Sequence, residues 1–470
     1  RPMPDLARLL RSTELLARVS SQPEKFRLRV LVSKVSVHRA REEAGDGAPS
    51  VALERFSLGD DDAAYFYPAS AIKLCVAVAA LQKLGRLRSG NGAIGLETPL
   101  EFFDAESGAW TGTDTSNVES GRITVGHELR KMLIVSDNAA FNRLIDFVGL
   151  DEANRSMWRA GLSSVRIIHK LEAQGKRPKT RMRTPAVRFT EGGSGKVLLD
   201  LPERDCTVEG LSNEGMKGLQ IGTSYVDAGG QKVEEPMDFT FKNRISLAHL
   251  QDMLVKLVFT TTSPLPGEGF NLDADLREFL LATMAIYPQH STNPVYASRK
   301  EYPDNWCKFF LPGLQRAQPP ETSVQVINKV GIAYGHLVDN ALVSFHRAAS
   351  MTDPPPPSHK CISEDFRLFD PASRPSSHDT FLLTAVIYAN ANECLNDDIY
   401  EEDLAEAALV ELAAAVAADV LGLGAPQLRE ERRPRWGAVL KYAMVAVSLA
   451  SVAVLGLTAA KSRTGKRIAH

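Results

Sequence analysis

Three short groups of residues hold most of the chemistry that the 470-residue chain offers. The first is Ser70 with Lys73 three residues later, in Tyr67-Pro68-Ala69-Ser70-Ala71-Ile72-Lys73-Leu74. Pro68 marks a turn that leads into an apolar run out to Leu84 with helical spacing, so Ser70 falls in a first helical turn. Free backbone N–H groups there favour a developing anion, and an amine at i+3 reaches back over the hydroxyl. A serine becomes a nucleophile when a base stands beside it, and a desolvated lysine serves as one. Taken alone, the pair more often marks an amphipathic helix start with a Ser cap and a surface Lys. The second group is Ser136-Asp137-Asn138, a cluster of cap and turn formers inside an otherwise helical region. By itself it reads as a plain helix–turn–helix connection, or as a turn that projects polar groups inward. The third is Lys329-Val330-Gly331, on a strand where the glycine lets another backbone or a ligand come close.

The elements that must position these groups follow from periodicity. Residues 3–19 carry Leu6, Leu9, Leu10, Leu15 and Leu16 in a helical pattern. Phe26 to Val37 alternates as a strand, and Val51 to Phe56 is its expected hairpin partner. The Ser70 helix comes next, then loop at 97–100 and 111–121. The helical region Ile123 to Val148 breaks at Ser136 into two helices. Residues 161–188 are basic and loop-like, and 191–240 are rich in Gly and charge and read as an insertion with a short apolar segment, Val197–Leu201. Helices are expected over Ser246–Thr260 and Leu276–Ile286, and two strands over Val324–Val343 that turn at Tyr334-Gly335. A Pro-rich loop occupies 351–358. Phe381–Ala389 is expected as a buried strand, and Leu404–Leu421 as an Ala-rich helix packed over the sheet. Gly192-Gly193-Ser194-Gly195-Lys196 lacks the residues of a phosphate loop.

Composition narrows the function classes. Hydrophobic content of 44%, charged content of 24% and a net charge of −2 describe a globular protein without the broad basic surface that nucleic acid requires. Five cysteines are widely spaced with no C-x-x-C pair, and ten histidines show no H-E-x-x-H spacing, so neither a zinc site nor a dense disulfide framework is indicated and no cofactor is expected. The chain begins with Arg1 rather than Met, as a processed or truncated product would. Near the other end, Tyr442 to Ala460 carries no charge, with Trp436 and Lys441 before it and Lys461, Arg463, Lys466 and Arg467 after it. At about 1.5 Å per residue this run spans about 28 Å, close to a bilayer's hydrocarbon thickness. The expected organisation is an N-terminal helix (1–24), one large domain (25–425), a basic linker (426–440), a transmembrane helix (441–460) and a basic tail (461–470).

In their order and contexts, Ser-x-x-Lys at a helix start, Ser-Asp-Asn at an interhelical turn and Lys-x-Gly on a strand resemble the class A β-lactamase-like branch of the penicillin-recognising serine hydrolases, a β-lactamase enzyme family. The resemblance covers roughly residues 25 to 425. It implies an α+β fold of β-lactamase/transpeptidase type, an antiparallel sheet flanked by helices plus a helical subdomain, with the site in the cleft between them. It implies Ser70 as the acylated nucleophile, Lys73 as its proton acceptor and Ser136 as the donor to the leaving nitrogen. Asn138 would hold the substrate amide, Lys329 would meet the substrate carboxylate, and the N–H groups of Ser70 and Ile332, beside Gly331, would form the oxyanion hole. The implied substrates are β-lactams or cell-wall peptides, handled by a membrane-held domain on the outer side. Two departures bear on the chemistry. Val330 replaces the usual hydroxyl residue after the lysine, and the E-x-x-L-N string of the deacylating glutamate is absent. Glu172, 36 residues after Ser136, stands about where that glutamate should be. Without a base to activate water, the acyl-enzyme would persist, as in a D-Ala-D-Ala peptidase or penicillin-binding protein. A catalytically inactive membrane-bound binding protein is the reading from a different class.

Overall fold

A computed structural model describes residues 5–38, 50–171, 183–260, 265–320, 322–347 and 379–423. The Pro-rich loop, the linker, the expected transmembrane helix over 441–460, the basic tail and Glu172 lie outside the described residues. Among the described residues, no helix is long and apolar enough to cross a membrane.

The frame is a five-stranded antiparallel sheet of β1 (Arg29–His38), β2 (Ser50–Leu58), β3 (Thr322–Ala333), β4 (His336–Arg347) and β5 (Asp379–Tyr388), in the spatial order β3-β4-β5-β1-β2. The first and last strands of the sheet in sequence therefore meet mid-sheet, where β1 pairs with β5 (Arg29 opposite Val386). β1 and β2 form the expected hairpin, with Val37 opposite Val51. Both faces are covered, which explains why β5 reads as an almost unbroken apolar run. Val30 and Val32 pack into one core with Phe381, Leu383 and Ile387, whereas Leu31 packs into the other with Leu382 and Val386.

Helix α1 (Lys73–Gly90) is the centre of the second core. From Leu74 to Leu81 it is apolar all the way round because other helices surround it: α2 (Val125–Ile134), α3 (Asn138–Val148) and α4 (Leu150–Arg159), with α5 (Leu247–Val258) and α6 (Ala274–Ala285) completing that layer. The far face of the sheet carries α7 (Leu311–Ala317) and the Ala-rich α8 (Glu402–Leu421). These two approach so closely that a Cβ on Gly313 would lie 1.9 Å from the Val410 carbonyl oxygen.

Several expectations need correction. The N-terminal helix is three short helices, Leu6–Leu9, Glu14–Ser20 and Pro23–Phe26. Asp5 and Thr13 cap the first two, and the strand expected from Phe26 starts only at Arg29. The loops expected around residue 100 and across 161–188 contain strands: Leu100–Asp104 pairs with both Ala109–Thr111 and Val187–Thr190, and the last pairs with Val197–Leu201. These segments are too short and too polar to show an alternation. The 191–240 region is stitched onto the fold rather than set apart, through Lys217 beside Ala64 and Ser224–Val226 pairing with Cys394–Leu395.

Candidate active site

Ser70 lies in a 3-10 turn, Ala69–Ile72, that runs directly into α1, with the Ala71 N–H donating to the Pro68 carbonyl at 2.9 Å. The preceding Ala69 is held at φ 48°, a left-handed conformation that few non-glycine residues adopt. Ser70 itself is half-buried, and Lys73, the first residue of α1, is fully buried.

The chain breaks at Ser136 as the sequence predicts. Ser136 sits at φ 64° between α2 and α3, and Asp137 caps α3 by accepting from the Ala140 N–H at 2.7 Å. The Lys131 carbonyl accepts from both Val135 N–H and Asp137 N–H, and the Trp306 indole donates to the Val135 carbonyl at 3.3 Å. The turn is thus held from two sides. Lys73 Nζ donates to the Ser136 carbonyl (2.5 Å), to Asn138 Oδ1 (2.5 Å) and to Ser136 Oγ (3.3 Å).

Strand alternation puts Ile327, Lys329 and Gly331 on the face toward α1, and Val326, Asn328 and Val330 on the face toward α7. Lys329 Nζ lies 3.0 Å from Ser136 Oγ, so two amines converge on one hydroxyl. Burial pushes the Lys329 ammonium below its ordinary value, while Cys307 and Asp339 pull it back up. Gly331 abuts the nucleophile's turn: a Cβ there would lie 2.3 Å from Pro68 O, 2.9 Å from Ala71 N and 3.0 Å from Ser70 N. The half-buried Ile332 follows next on the strand. Val330, opposite Asp339 in register, packs into the core on the far face, so a valine there is explained by packing.

The structure thus brings Ser70, Lys73, Ser136, Asn138, Lys329, Gly331 and Ile332 to one place, where the helical layer meets the β3 edge of the sheet. Glu172 lies outside the described residues. Leu171, just before it, is tied to α3 by Asn142, whose amide donates to the Leu171 carbonyl (2.7 Å) and accepts from its N–H (2.9 Å). Sequence reasoning missed Asn142, Trp306 and a buried polar set behind Lys329. In that set Lys308 donates to Asn328 Oδ1 and Asn328 donates to Asp339, each at 2.9 Å or closer. Burial pushes Lys308 down to about 8 and Asp339 up to about 6. The only sequence signal for this set was Asn328 and Asp339, polar residues inside apolar strands.

Among the described residues, Asp114, His127 and Glu128 are close enough to share a cation. That space already holds cationic side chains: Lys131 Nζ is 2.7 Å from Asp114 and Arg143 Nη1 is 2.9 Å from Glu128. Burial alone would raise Asp114, but Lys131 and the Ser116 hydroxyl outweigh it and hold the carboxyl below the usual range. The group is an ion-pair network clamping α2 to α3 on either side of the Ser136 turn.

The family that the chain resembles is the beta-lactamase enzyme family, whose model matches residues 54–192. That segment carries Ser70, Lys73, Ser136 and Asn138. No curated protein matches the chain. Similar solved structures include a beta-lactamase from Burkholderia vietnamiensis, 13% identical, with 88% of this chain and 98% of that chain covered at a TM-score of 0.41. A beta-lactamase from Sphaerobacter thermophilus is 12% identical, covering 87% and 98% at 0.42. A variant of PBP-A, captured as an acyl-enzyme with penicillin G, is 13% identical, covering 90% and 100% at 0.42. The fold is α+β and β-lactamase-like, an antiparallel sheet with helices packed on it.

Proposed function

We propose that the chain is a serine hydrolase that opens amide bonds through an acyl-enzyme at Ser70, with β-lactams as the leading substrates in the manner of class A enzymes. The observation that carries this reading is the convergence of Lys73 and Lys329 on the Ser136 hydroxyl, with Gly331 seated against the backbone of Ser70. In this mechanism Ser70 Oγ attacks the carbonyl carbon and its proton passes to Lys73. The oxyanion is met by the N–H groups of Ser70 and Ile332; removing one such donor typically costs about 100- to 1000-fold in rate. Collapse breaks the C–N bond, and the nitrogen takes the proton of Ser136, which Lys73 replaces across the 3.3 Å gap. Asn138 holds the substrate amide, and Lys329 meets a carboxylate on the leaving side.

Water then releases the acyl group. The missing E-x-x-L-N string favours a second reading, a penicillin-binding peptidase in which this step is slow and Glu172 is at most a weak base. We also assign the apolar segment 441–460 as a membrane anchor that leaves the domain on the outer side; recovery of the full chain in a high-salt-washed membrane pellet tests that assignment.

The test is a time course of a fluorescent penicillin and a chromogenic cephalosporin with the full chain in detergent, beside Ser70→Ala. Continuing hydrolysis that Ser70→Ala loses is the expected result for a β-lactamase, and Glu172→Gln should then slow release. One label per chain with little turnover selects the penicillin-binding reading. Identical behaviour of wild type and Ser70→Ala would overturn both.

A further inference from the structure

The turn between β3 and β4 is made by Tyr334 and Gly335, both left-handed, at φ 52° and φ 72°. Two-residue hairpins of this kind normally take Asn-Gly or Asp-Gly, because a bulky side chain at positive φ is costly. A tyrosine there is justified by what its ring meets. It stands edge-on to Tyr67, at 5.1 Å between centroids, and to Phe239 at 5.2 Å. Tyr67 is three residues before Ser70, and Phe239 comes from the end of the segment that sequence reading treated as an insertion. Lys242, three residues beyond Phe239, donates to the Tyr334 hydroxyl at 3.2 Å and also lies near its ring, 5.2 Å from the centroid. Among the described residues, no carboxylate lies within ion-pair distance of Lys242. Both Lys242 and Tyr334 are half-buried, and the adjoining Phe241 is 60% exposed.

From Lys329 on β3 to Tyr334 in the turn that follows is five residues, at most about 16 Å of chain, with Gly331 and the Ser70 turn between them. A cationic group therefore stands at each end of this stretch, flanking the nucleophile. We propose that Lys242 and Tyr334 form an anion subsite on the acyl side of the scissile amide, opposite the leaving side met by Lys329. The substrate class is then an amide whose acyl portion carries its own carboxylate. This rests on the acyl-enzyme reading above, which assigns Lys329 to the leaving side.

Benzylpenicillin and its α-carboxy derivative differ by one carboxylate on the acyl side. Second-order labelling rates for both are measured with wild type, Lys242→Gln and Tyr334→Phe, and the ratio of carboxylated to plain substrate is compared, so that any loss common to both substrates cancels. Losing one charge-assisted hydrogen bond predicts about a tenfold fall in that ratio for Lys242→Gln and a smaller fall for Tyr334→Phe. An unchanged ratio overturns the subsite while leaving the acyl-enzyme intact. In parallel, Ser70→Ala is titrated with N-succinyl-D-alanine, whose acyl portion carries its own carboxylate, by NMR, with and without Lys242→Gln. Saturable binding that Lys242→Gln weakens is expected, and its absence overturns the subsite. If wild type labels with neither penicillin, the acyl-enzyme reading fails and this titration alone decides the subsite.

Discussion

Gly331 shows how much of the site hangs on a missing methyl group. Any Cβ there meets the Pro68 carbonyl and the Ala71 and Ser70 nitrogens, which are backbone atoms of a turn with nowhere to retreat. Gly331→Ala should therefore shift the Ser70 turn away from β3. We expect a loss of about 1–3 kcal/mol in stability, the usual result of overpacking. A drop in penicillin labelling should exceed what the loss of folded protein explains, as read by labelling per folded chain. Near-wild-type labelling would show that the two backbones need not touch.

At the scale of elements, the Ser136 turn works because two helices end and begin on it with defined caps. Asp137→Ala removes the acceptor for the Ala140 N–H and should cost about 1 kcal/mol in denaturant unfolding. It should also slow labelling, because the left-handed Ser136 loses one of its supports; an unaltered labelling rate would assign the cap to stability alone. This turn was legible in the sequence because Ser, Asp and Asn are poor helix-interior residues placed between two clear helical periods. The β3–β4 hairpin was legible for the parallel reason that its alternation breaks only at Tyr334-Gly335. What escaped was set by contacts distant in sequence. Trp306 is 171 residues from the carbonyl it supports, and Leu100–Asp104 becomes a strand only because Val187–Thr190 arrives beside it. The four-residue helix Pro23–Phe26 displaced the expected start of β1, since an amphipathic turn and the head of an alternating strand carry the same few apolar positions.

For the whole molecule, the sheet is a partition between two cores, and a titrating group is buried next to it. Asp339 is buried on the α7 side, where it accepts from Asn328 and from the Phe310 N–H, with Lys308 one residue further along the network. Burial raises its carboxyl to about 6, so between the usual carboxylate value and about 6 the folded chain holds a proton that the unfolded chain has released. Stability contributed by this group is complete below about 4 and is lost as pH rises through about 6. Asp339→Asn cannot ionise and should flatten that part of the stability–pH curve in thermal unfolding. An unchanged slope would mean that Asp339 is already ionised when folded, paired with Lys308.

Ala69, Ser136 and Tyr334 share a property with a wider consequence. Each is a non-glycine residue in left-handed backbone, and each adjoins a different part of the same cleft. Such conformations cost of order 1–3 kcal/mol apiece and persist only because the surroundings enforce them. Selection for thermal tolerance and selection for turnover would thus pull in opposite directions on the same three codons, the first toward glycine and the second toward the side chains now present.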